Sequence, residues 1–366
     1  MEPIIAPVSL DLIKAELTPY KKLRDTNKGG NEIYVINHHD SPNVMLEIGR
    51  LREEAFRDSG GGSGLAADID EFDTMDNPYQ QLIVWDPDAE KILGGYRYIL
   101  GGDIRLDENG QPILATAHMF HFSQKFIEEY LPYTIELGRS FVTPEYQSSK
   151  AGSKGLFALD NLFDGLGALA IQRPNMKYFF GKMTMYPEYN REARDLIQYF
   201  LFKHFEDKED LVVPVEPLKI ETPVEYMQSI LTEDEFKEDY RLLNAAVRKH
   251  GVNIPPLVNS YMNLSPTMKM FGGGINHEFS EAEETCILIA FDEIYDAKLE
   301  RHVDSFIKEK ADNIKRRFPL FFENMGDRLT EMLANRRAKV QANMARRQAR
   351  RKARRSTRKT KRQAKK

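Results

Sequence analysis

The chain has 366 residues, of which 41% are hydrophobic, enough for one large domain or two smaller ones around a sizeable core. The single cysteine, Cys286, excludes an internal disulfide framework. The N-terminus carries acids where a secretion signal needs bases, and no uncharged apolar run approaches the length of a membrane span, so we predict a cytosolic protein.

The net charge of −4 is the sum of two opposed regions. Residues 336–366 contain 16 Lys and Arg and no acid, so the rest of the chain has 36 basic against 56 acidic residues, a charge of −20. Such a basic tail predicts an anionic partner, either a membrane surface or a nucleic acid. Because the tail has no aromatic residue for base stacking, nucleic-acid binding would rest on phosphate contacts alone. We therefore predict peripheral binding to the inner face of an anionic membrane, with nucleic acid as the alternative.

The first two hundred residues predict strands and helices in alternation. In chain order they are a strand at 33–37, a helix at 43–57, a hairpin of strands at 80–86 and 91–100, a strand at 134–143, a helix at 156–172, a strand at 177–186 and a helix at 190–205. We expect Asn43 to cap the first helix. Its predicted apolar side consists of Leu46, Leu51, Ala55 and Phe56.

The second half of the chain is more helical. A helix is predicted at 232–250, irregular structure at 254–274, a strand at 285–291 and helix over most of 292–337, broken near Pro319. The order of elements over the whole chain predicts a mixed α/β fold with an antiparallel start.

The strand at 134–143 contains ELGRSFV, a glutamate and an arginine three positions apart. Regular strand alternation puts Glu136 on one face and Arg139 on the other, so the acid and the base are predicted to point in opposite directions. Alternation groups the remaining residues as Gly138, Ser140 and Val142 with the acid, and Leu137 and Phe141 with the base.

Charged residues around the predicted sheet are the strongest candidates for a site. Buried charges must be paired or hydrogen-bonded, so the set forms either a structural ion-pair network or a pocket that orients a polar substrate, such as a small amine. The set consists of Arg52, Asp70, Asp73, Arg97, Glu136 and Arg139.

The order and spacing of these residues resemble the Gcn5-related (GNAT) acyltransferase fold over roughly residues 44–205. The sequence is similar to the branch that uses acyl carrier protein thioesters, which comprises the acyl-homoserine-lactone synthases and the ornithine-lipid or glycine-lipid N-acyltransferases, often labelled hemolysin-like. The matching motifs are Arg52-x-x-x-Phe56, Asp70-Glu71-Phe72-Asp73, Gly94-Gly95-Tyr96-Arg97 and Glu136–Val142.

The resemblance to the lipid-forming N-acyltransferases extends into the second half of the chain. The stretch 255–262, followed by the glycines at 272–274 and an ILI strand, looks like that family's C-terminal part, which the lactone synthases lack. Those synthases also place a tryptophan shortly after the phenylalanine, where this chain has DSGGGSG at 58–64. The implied fold is α/β: a GNAT-like mixed, mostly antiparallel sheet flanked by helices, with a C-terminal helical extension.

The same resemblance divides the chain into segments. They are an N-terminal extension at 1–32, a GNAT-like acyltransferase core at 33–213, the C-terminal part of the acyltransferase at 214–295, a helical extension at 296–335 and a basic tail, expected to be disordered, at 336–366.

The resemblance also implies roles for single residues. Glu136 would take a proton from the incoming ammonium, because only a neutral amine attacks a thioester. Arg97 and Arg139 join it as catalytic candidates. Together with Arg52 they would pair with Asp70 and Asp73 of the Asp-rich loop, or hold the acceptor's carboxylate. Backbone N–H groups near 141–142 would polarise the thioester carbonyl. The implied substrate-binding residues are Arg52, Phe56, Asp70, Asp73, Phe141 and Val142.

The loop at 147–155 precedes a helix and is the implied binding site for the donor's phosphopantetheine. It departs from the acetyl-coenzyme A pattern by having Lys150 where the first glycine belongs, and an ordinary strand–helix connection is the alternative. The residues implied are Ser149, Lys150, Gly152 and Lys154, and the lysines Lys150, Lys154 and Lys182 are also candidates for contact with an acidic carrier protein.

No cofactor and no metal are expected. His118 and His121 have a metal-like spacing but no third ligand, and Cys286 is expected in the core because no covalent intermediate is needed. The donor would be an acyl carrier protein thioester, with acyl-coenzyme A as the alternative. No histidine has an aspartate five positions later, the signature of glycerolipid O-acyltransferases, so a two-chain product would need a separate O-acyltransferase.

The resemblance therefore implies an N-acyltransferase that moves a fatty, 3-hydroxylated acyl group to the amino group of an amino acid and forms a single-chain aminolipid. Glycine is the favoured acceptor, with ornithine and serine as alternatives. Two other functions stay open: a signal synthase of the homoserine-lactone type, which would use S-adenosylmethionine, and a non-catalytic protein whose tail binds RNA or the ribosome. The complete charged set favours the enzyme.

Overall fold

The computed structural model describes residues 1–147, 152–310 and 338, with the side chains of 152–156 left out. The chain divides into two compact units, Met1–Val303 and Asp304–Lys366. In the second unit the described residues 305–310 are helical. The predicted break near Pro319 and nearly all of the basic tail lie outside the described residues, and the finer division into five segments stays a prediction.

Within the described residues, one large mixed sheet runs in the order β1-β2-β3-β4-β6-β7-β10-β9, and β5 and β8 pair separately. All neighbours in the large sheet are antiparallel except β6 and β7, which are parallel. The strands are β1 Lys22–Asp25, β2 Glu32–Ile36, β3 Gln80–Asp86, β4 Lys91–Leu100, β5 Phe120–Phe122, β6 Thr134–Val142, β7 Tyr178–Met185, β8 Val212–Pro214, β9 Lys269–Asn276 and β10 Ala282–Ala290.

Helices cover both faces of this sheet: α2 contacts β6 from one side, and α5 and α9 contact β3, β4 and β7 from the other. None of the described helices combines the length and apolarity that a membrane span needs. The helices are α1 Leu10–Glu16, α2 Pro42–Asp58, α3 Glu71–Thr74, α4 Pro144–Gln147, α5 Gly152–Gln172, α6 Arg191–Phe205, α7 Val224–Ile230, α8 Phe236–Lys249, α9 Pro256–Met262 and α10 Asp296–Leu299.

The predicted mixed, mostly antiparallel α/β fold is confirmed, and the hairpin of β3 and β4 has the predicted bounds. The prediction of irregular structure at 254–274 is wrong, because α9 and the start of β9 lie there. Strand β9 contains three consecutive glycines and has little intrinsic strand preference. It is held in the sheet by its register with β10, which the local sequence does not reveal.

Helix α2 begins one residue earlier than predicted, at Pro42, so Asn43 is not its cap. Proline suits the first helical position because it lacks an N–H group that would go unpaired there. The free N–H groups of Asn43 and Val44 instead donate to the carboxylate of Glu16 at the end of α1. Leu46, predicted on the apolar side, is 39% exposed. The buried apolar stripe consists of Val44, Met45, Ile48, Leu51, Ala55 and Phe56.

Strand β6 contains a bulge that reverses part of the predicted pattern. Gly138 pairs with Arg97 and Phe141 pairs with Gly95, so three steps along β6 match two steps along β4. The extra residue is accommodated at Arg139, whose φ of 46° lies in the left-handed region. The predicted alternation therefore fails beyond Gly138.

Strands β6 and β7 separate where this bulge begins. Their register covers 134–137 against 178–181, after which β6 pairs only with β4, and β7 only with β10. A bulge bends its strand, which gives a physical reason for the divergence. The separation leaves an opening through the sheet.

Candidate active site

A cavity of about 680 Å³ occupies the opening between β6 and β7. One part of its wall is apolar and comes from α5, α9 and the segment before α9. The residues of this apolar wall are Ala158, Leu159, Val252, Pro255, Pro256, Leu257 and Tyr261. The charged part of the wall consists of Arg97, Glu136, Arg139, Lys182, Glu188 and Glu284.

Most of these charged residues share one face of the sheet. Glu136 lies opposite Phe180 on β7, so Lys182, two residues further, points to the same face. Glu284 on β10 lies opposite Thr184 and follows the same alternation. On the other side of β6, Glu136 pairs with Ile99, which shares its face with Arg97 two residues away. The sheet therefore gathers two carboxylates and two cations around the opening.

Arg139 joins this face, although regular alternation predicted the opposite one. Its Nε donates to Asp68 at 2.9 Å and its Nη2 lies 3.6 Å from Asp70, the aspartate that Arg97 also binds. The prediction that the acid and the base point in opposite directions is wrong. The left-handed residue in the bulge turns the guanidinium back toward the side of Glu136.

Glu136 is 1% exposed, and its Oε1 accepts a hydrogen bond from the Thr116 hydroxyl at 2.8 Å. Its Oε2 accepts no hydrogen bond of normal length from any described residue, and the hydroxyl of Tyr79 lies near the carboxylate. Burial raises the pKa of this carboxyl above its ordinary value, against the nearby hydroxyls of Tyr79 and Thr116 and the charge of Arg97. A carboxylate with a raised pKa and a free oxygen in a cavity wall is suited to accepting a proton.

The pH dependence of turnover should reveal the hydrogen bond from the Thr116 hydroxyl to the Glu136 carboxylate. A base works only when ionised, so activity is lost as the pH falls through its pKa, which burial already raises. Replacing Thr116 by valine removes a donor that stabilises the ionised form, so the acid limb of kcat/KM should move to higher pH. A pH–rate profile of the variant beside Thr143→Val, at a buried threonine outside the cavity lining, tests this. An unmoved limb would contradict the assignment.

The remaining charged residues form a buried network beside the cavity. Arg52 binds Asp73 at 3.0 Å, and Arg97 binds both oxygens of Asp70 at 2.7 Å and Asp73 at 3.2 Å. Gln81 donates to the second oxygen of Asp73 at 2.9 Å. Burial opposes ionisation of Asp73, but Arg52 and Arg97 hold its pKa well below its ordinary range. The network fastens the Asp-rich loop to α2 and the sheet.

The predicted site residues fall into three groups. Those along the cavity wall are Phe56, Arg97, Glu136, Arg139, Phe141 and Val142. Three others, Arg52, Asp70 and Asp73, belong to the network and are not among the described residues lining the cavity. Ser149 and Lys150 lie outside the described residues, and Gly152 and Lys154 fall in the first turn of α5, where no side chain is described. That helix begins at Gly152 rather than near 156 as predicted.

Backbone geometry supports the predicted carbonyl-polarising group. Thr143 donates its N–H to Leu93 on β4. Hydrogen-bonded and non-hydrogen-bonded pairs alternate in an antiparallel ladder, so the N–H of Val142 points away from β4 and toward the opening. The N–H of Val142 therefore faces the space between β6 and β7, where a thioester carbonyl could accept its hydrogen bond.

Two groups on the wall were not predicted from the sequence as parts of a site. Lys182 was expected at a carrier-protein surface, but its side chain is only 13% exposed and pairs with Glu284 inside the cavity. The hydroxyls of Tyr96 and Tyr261 lie 2.8 Å apart and are buried on the apolar side. The sequence signal available for Lys182 was its position within a mostly apolar strand. No local signal links the two tyrosines, which are 165 residues apart.

The histidines do not assemble a metal site within the described part of the chain, which contains no group of three suitable ligands. His118 contacts the side chain of Asn276 at 3.2 Å, and His121 is exposed. Cys286 is fully buried, as expected, and burial raises the pKa of its thiol.

Comparison with known proteins adds independent information. A family model described as an acetyltransferase (GNAT) domain matches residues 51–154. Two proteins called glycine N(alpha)-acyltransferase, from Bacteroides thetaiotaomicron and Phocaeicola vulgatus, are 65% and 64% identical to this chain over 315 residues. Each alignment covers 86% of this chain, and 94% and 97% of the respective relative.

Solved structures of lower similarity also match. A coenzyme A-dependent acyl-homoserine lactone synthase, BjaI, is 10% identical with a TM-score of 0.33, covering 74% of this chain and 87% of its own. The acyl-homoserine lactone synthase LasI is 13% identical with a TM-score of 0.27, covering 43% and 74% respectively. At these TM-scores the likeness supports no further conclusion.

Proposed function

The chain belongs to the GNAT acyltransferase family that includes these glycine N(alpha)-acyltransferases, and from that premise we propose that it transfers a fatty acyl group to the amino group of glycine. Acyltransferase activity follows from the family. The choice of glycine, the donor and the fate of the product are the proposed parts. The product of such a transfer is an N-acylglycine, a single-chain aminolipid.

The observation that carries the proposal is the buried carboxylate of Glu136 in the cavity wall, with one oxygen that accepts no hydrogen bond of normal length from the described residues. Glu136 accepts a proton from the ammonium of the acceptor. The neutral amine attacks the thioester carbonyl, and the N–H of Val142 stabilises the negative charge on the carbonyl oxygen. The C–N bond forms and the C–S bond breaks. The nitrogen loses a second proton, which the departing thiolate takes up, and Glu136 releases the first proton to solvent.

The two parts of the wall suit the two substrates. The apolar part, formed by α5, α9 and the residues before α9, suits the fatty chain, since burying apolar surface is favourable. The charged part suits a small zwitterion. We propose an acyl carrier protein thioester of a 3-hydroxylated fatty acid as the donor, with acyl-coenzyme A as the competing donor because both present the same pantetheine arm.

Direct assay tests the proposal. The full chain is incubated with a long-chain acyl carrier protein thioester, or with the matching acyl-coenzyme A, and with glycine, ornithine, serine or S-adenosylmethionine. We expect N-acylglycine by mass spectrometry, formed faster with the carrier protein thioester. Preferred acylation of another acceptor would overturn the choice of glycine, and absence of transfer to every acceptor would overturn the proposed reaction.

We also propose that the basic residues 336–366 bring the enzyme to an anionic bilayer, where an amphiphilic product is delivered. The support is the charge alone: 16 positive charges without an acid, each contributing up to about 1 kcal/mol near an anionic surface. Deleting 336–366 should abolish flotation with phosphatidylglycerol vesicles and leave turnover of soluble substrates unchanged. Continued flotation, or capture of RNA but not of vesicles by the full chain, would contradict this.

A further inference from the structure

Among the described residues, three cations line the cavity, and two of them are already held by aspartates. Arg97 contacts both oxygens of Asp70, and Arg139 contacts both oxygens of Asp68. With Arg52 and Asp73, the network contains three arginines and three aspartates, so its charges balance. The third cation on the wall is Lys182, which lies outside this network.

Glu284, the ion-pair partner of Lys182, does not rely on the lysine alone for the stabilisation of its charge. Glu284 also accepts from the Thr184 hydroxyl and from the Asn276 amide, both at 3.3 Å. Burial opposes its ionisation, but Lys182, Arg139 and Asn276 together lower the pKa of Glu284. An ammonium has three N–H donors, and the described partners of Lys182 are Glu284 and, at 3.7 Å, the sulfur of Met119. Lys182 thus has donor capacity left for an anion in the cavity.

Lys182 also stands at a suitable separation from the proposed base. The two residues are one strand apart and two positions along, about 8 Å between Cα atoms, on the same face. An α-amino acid spans about 3.5 Å from its nitrogen to its carboxylate oxygens. Both side chains line the same cavity, so their charged ends can contact one small zwitterion from two sides.

We propose that Lys182 binds the carboxylate of the acceptor, so that the site selects α-amino acids over amines that lack a carboxylate. The acceptor's ammonium then lies at Glu136 and its carboxylate at Lys182, each against a charge of opposite sign. Glu284 acts as a positioning residue that orients the lysine. This inference rests on the proposed function, because it assigns a binding contact to the proposed acceptor.

The test compares glycine with glycinamide, which has the same amine without the carboxylate, at a fixed acyl thioester. Lys182→Met should raise KM for glycine about 10–100-fold, the range of one charge-assisted hydrogen bond, and leave KM for glycinamide and for the donor nearly unchanged. Lys269→Met is the matched control. It removes a lysine that is ion-paired to Asp207 on the edge strand β9 and does not line the cavity.

A double variant separates binding from folding. Removing Lys182 alone leaves Glu284 buried without its cation, which destabilises the protein whatever the acceptor. In Lys182→Met/Glu284→Gln that charge is gone, so thermal stability should recover while the raised KM for glycine persists. Recovery of the glycine KM in the double variant, or an equal rise for glycine and glycinamide, would overturn the inference. Failure of the unmodified enzyme to acylate glycine would instead overturn the proposed function.

Discussion

Replacing Glu136 by glutamine is expected to lower kcat about 10²–10⁴-fold, the usual cost of losing a general base. KM for the acyl donor should change little, because the apolar wall is untouched. Glutamine keeps the size of the side chain and an oxygen that can accept from Thr116. The lost activity would then report the lost proton acceptor and not a rearranged cavity.

The same substitution should not cost stability at neutral pH. Burial raises the folded-state pKa of Glu136, so the fold favours the protonated form. The stabilising contribution of that form is present below the unfolded pKa and is lost as the pH rises through the folded pKa. A neutral glutamine removes this loss, so the variant should melt at the same temperature as the unmodified protein, or above it, at pH 7.

Steady-state kinetics and thermal melts of the purified variant provide the measurement. Glu283→Gln is the matched control for the kinetics, since Glu283 is a buried glutamate of β10 that does not line the cavity. Its ion pairs with Arg191 and Arg194 make it unsuitable as a control for the melts. Near-normal turnover by Glu136→Gln would remove the residue from the proton transfer and leave it a structural acid of the strand.

Replacing Asp73 by alanine should produce the largest loss of stability among the charged residues, about 3–5 kcal/mol. Arg52 is fully buried and ion-paired with Asp73. Without that carboxylate, the described partners left to its guanidinium are the neutral side chain of Gln81 and, at 3.4 Å, the backbone carbonyl of Asp68. Arg97 would also lose one of its two carboxylates. The melting temperature should fall by roughly 5–8 °C for a unit of this size.

A double-mutant cycle identifies the partners. Asp73→Ala combined with Arg52→Met should cost less than the sum of the single changes, since no uncompensated charge remains at that pair. The sequence suggested that Arg139 pairs with Asp73. Their coupling energy should be smaller than that of Asp73 with Arg52, because Arg139 binds Asp68 instead. Glu71→Ala, an exposed acid on the same short helix, is the control. Simple additivity of Asp73 and Arg52 would show that they are not energetic partners.

Local patterns in the sequence were sufficient for much of the fold. Short apolar runs bounded by turn residues located β3, β4 and β7 within a residue or two, and the helical period located α2, α6 and α8 within four. These patterns work because side-chain spacing along one element depends on that element alone. The sequence motifs also identified Glu136, Arg97 and Arg139, which all line the cavity.

The tertiary structure decided which of these residues meet. The direction of Arg139 depends on a bulge, which arises from the register of β6 against β4 and is invisible in β6 alone. The pairing of Lys182 with Glu284 joins residues about a hundred positions apart on β7 and β10, and no local period links them. The sequence by itself determined the elements, the acidic body with its basic tail and the charged set. The cavity exists only because β6 and β7 part after four residue pairs, a consequence of strand register and bulge geometry that only the folded chain contains.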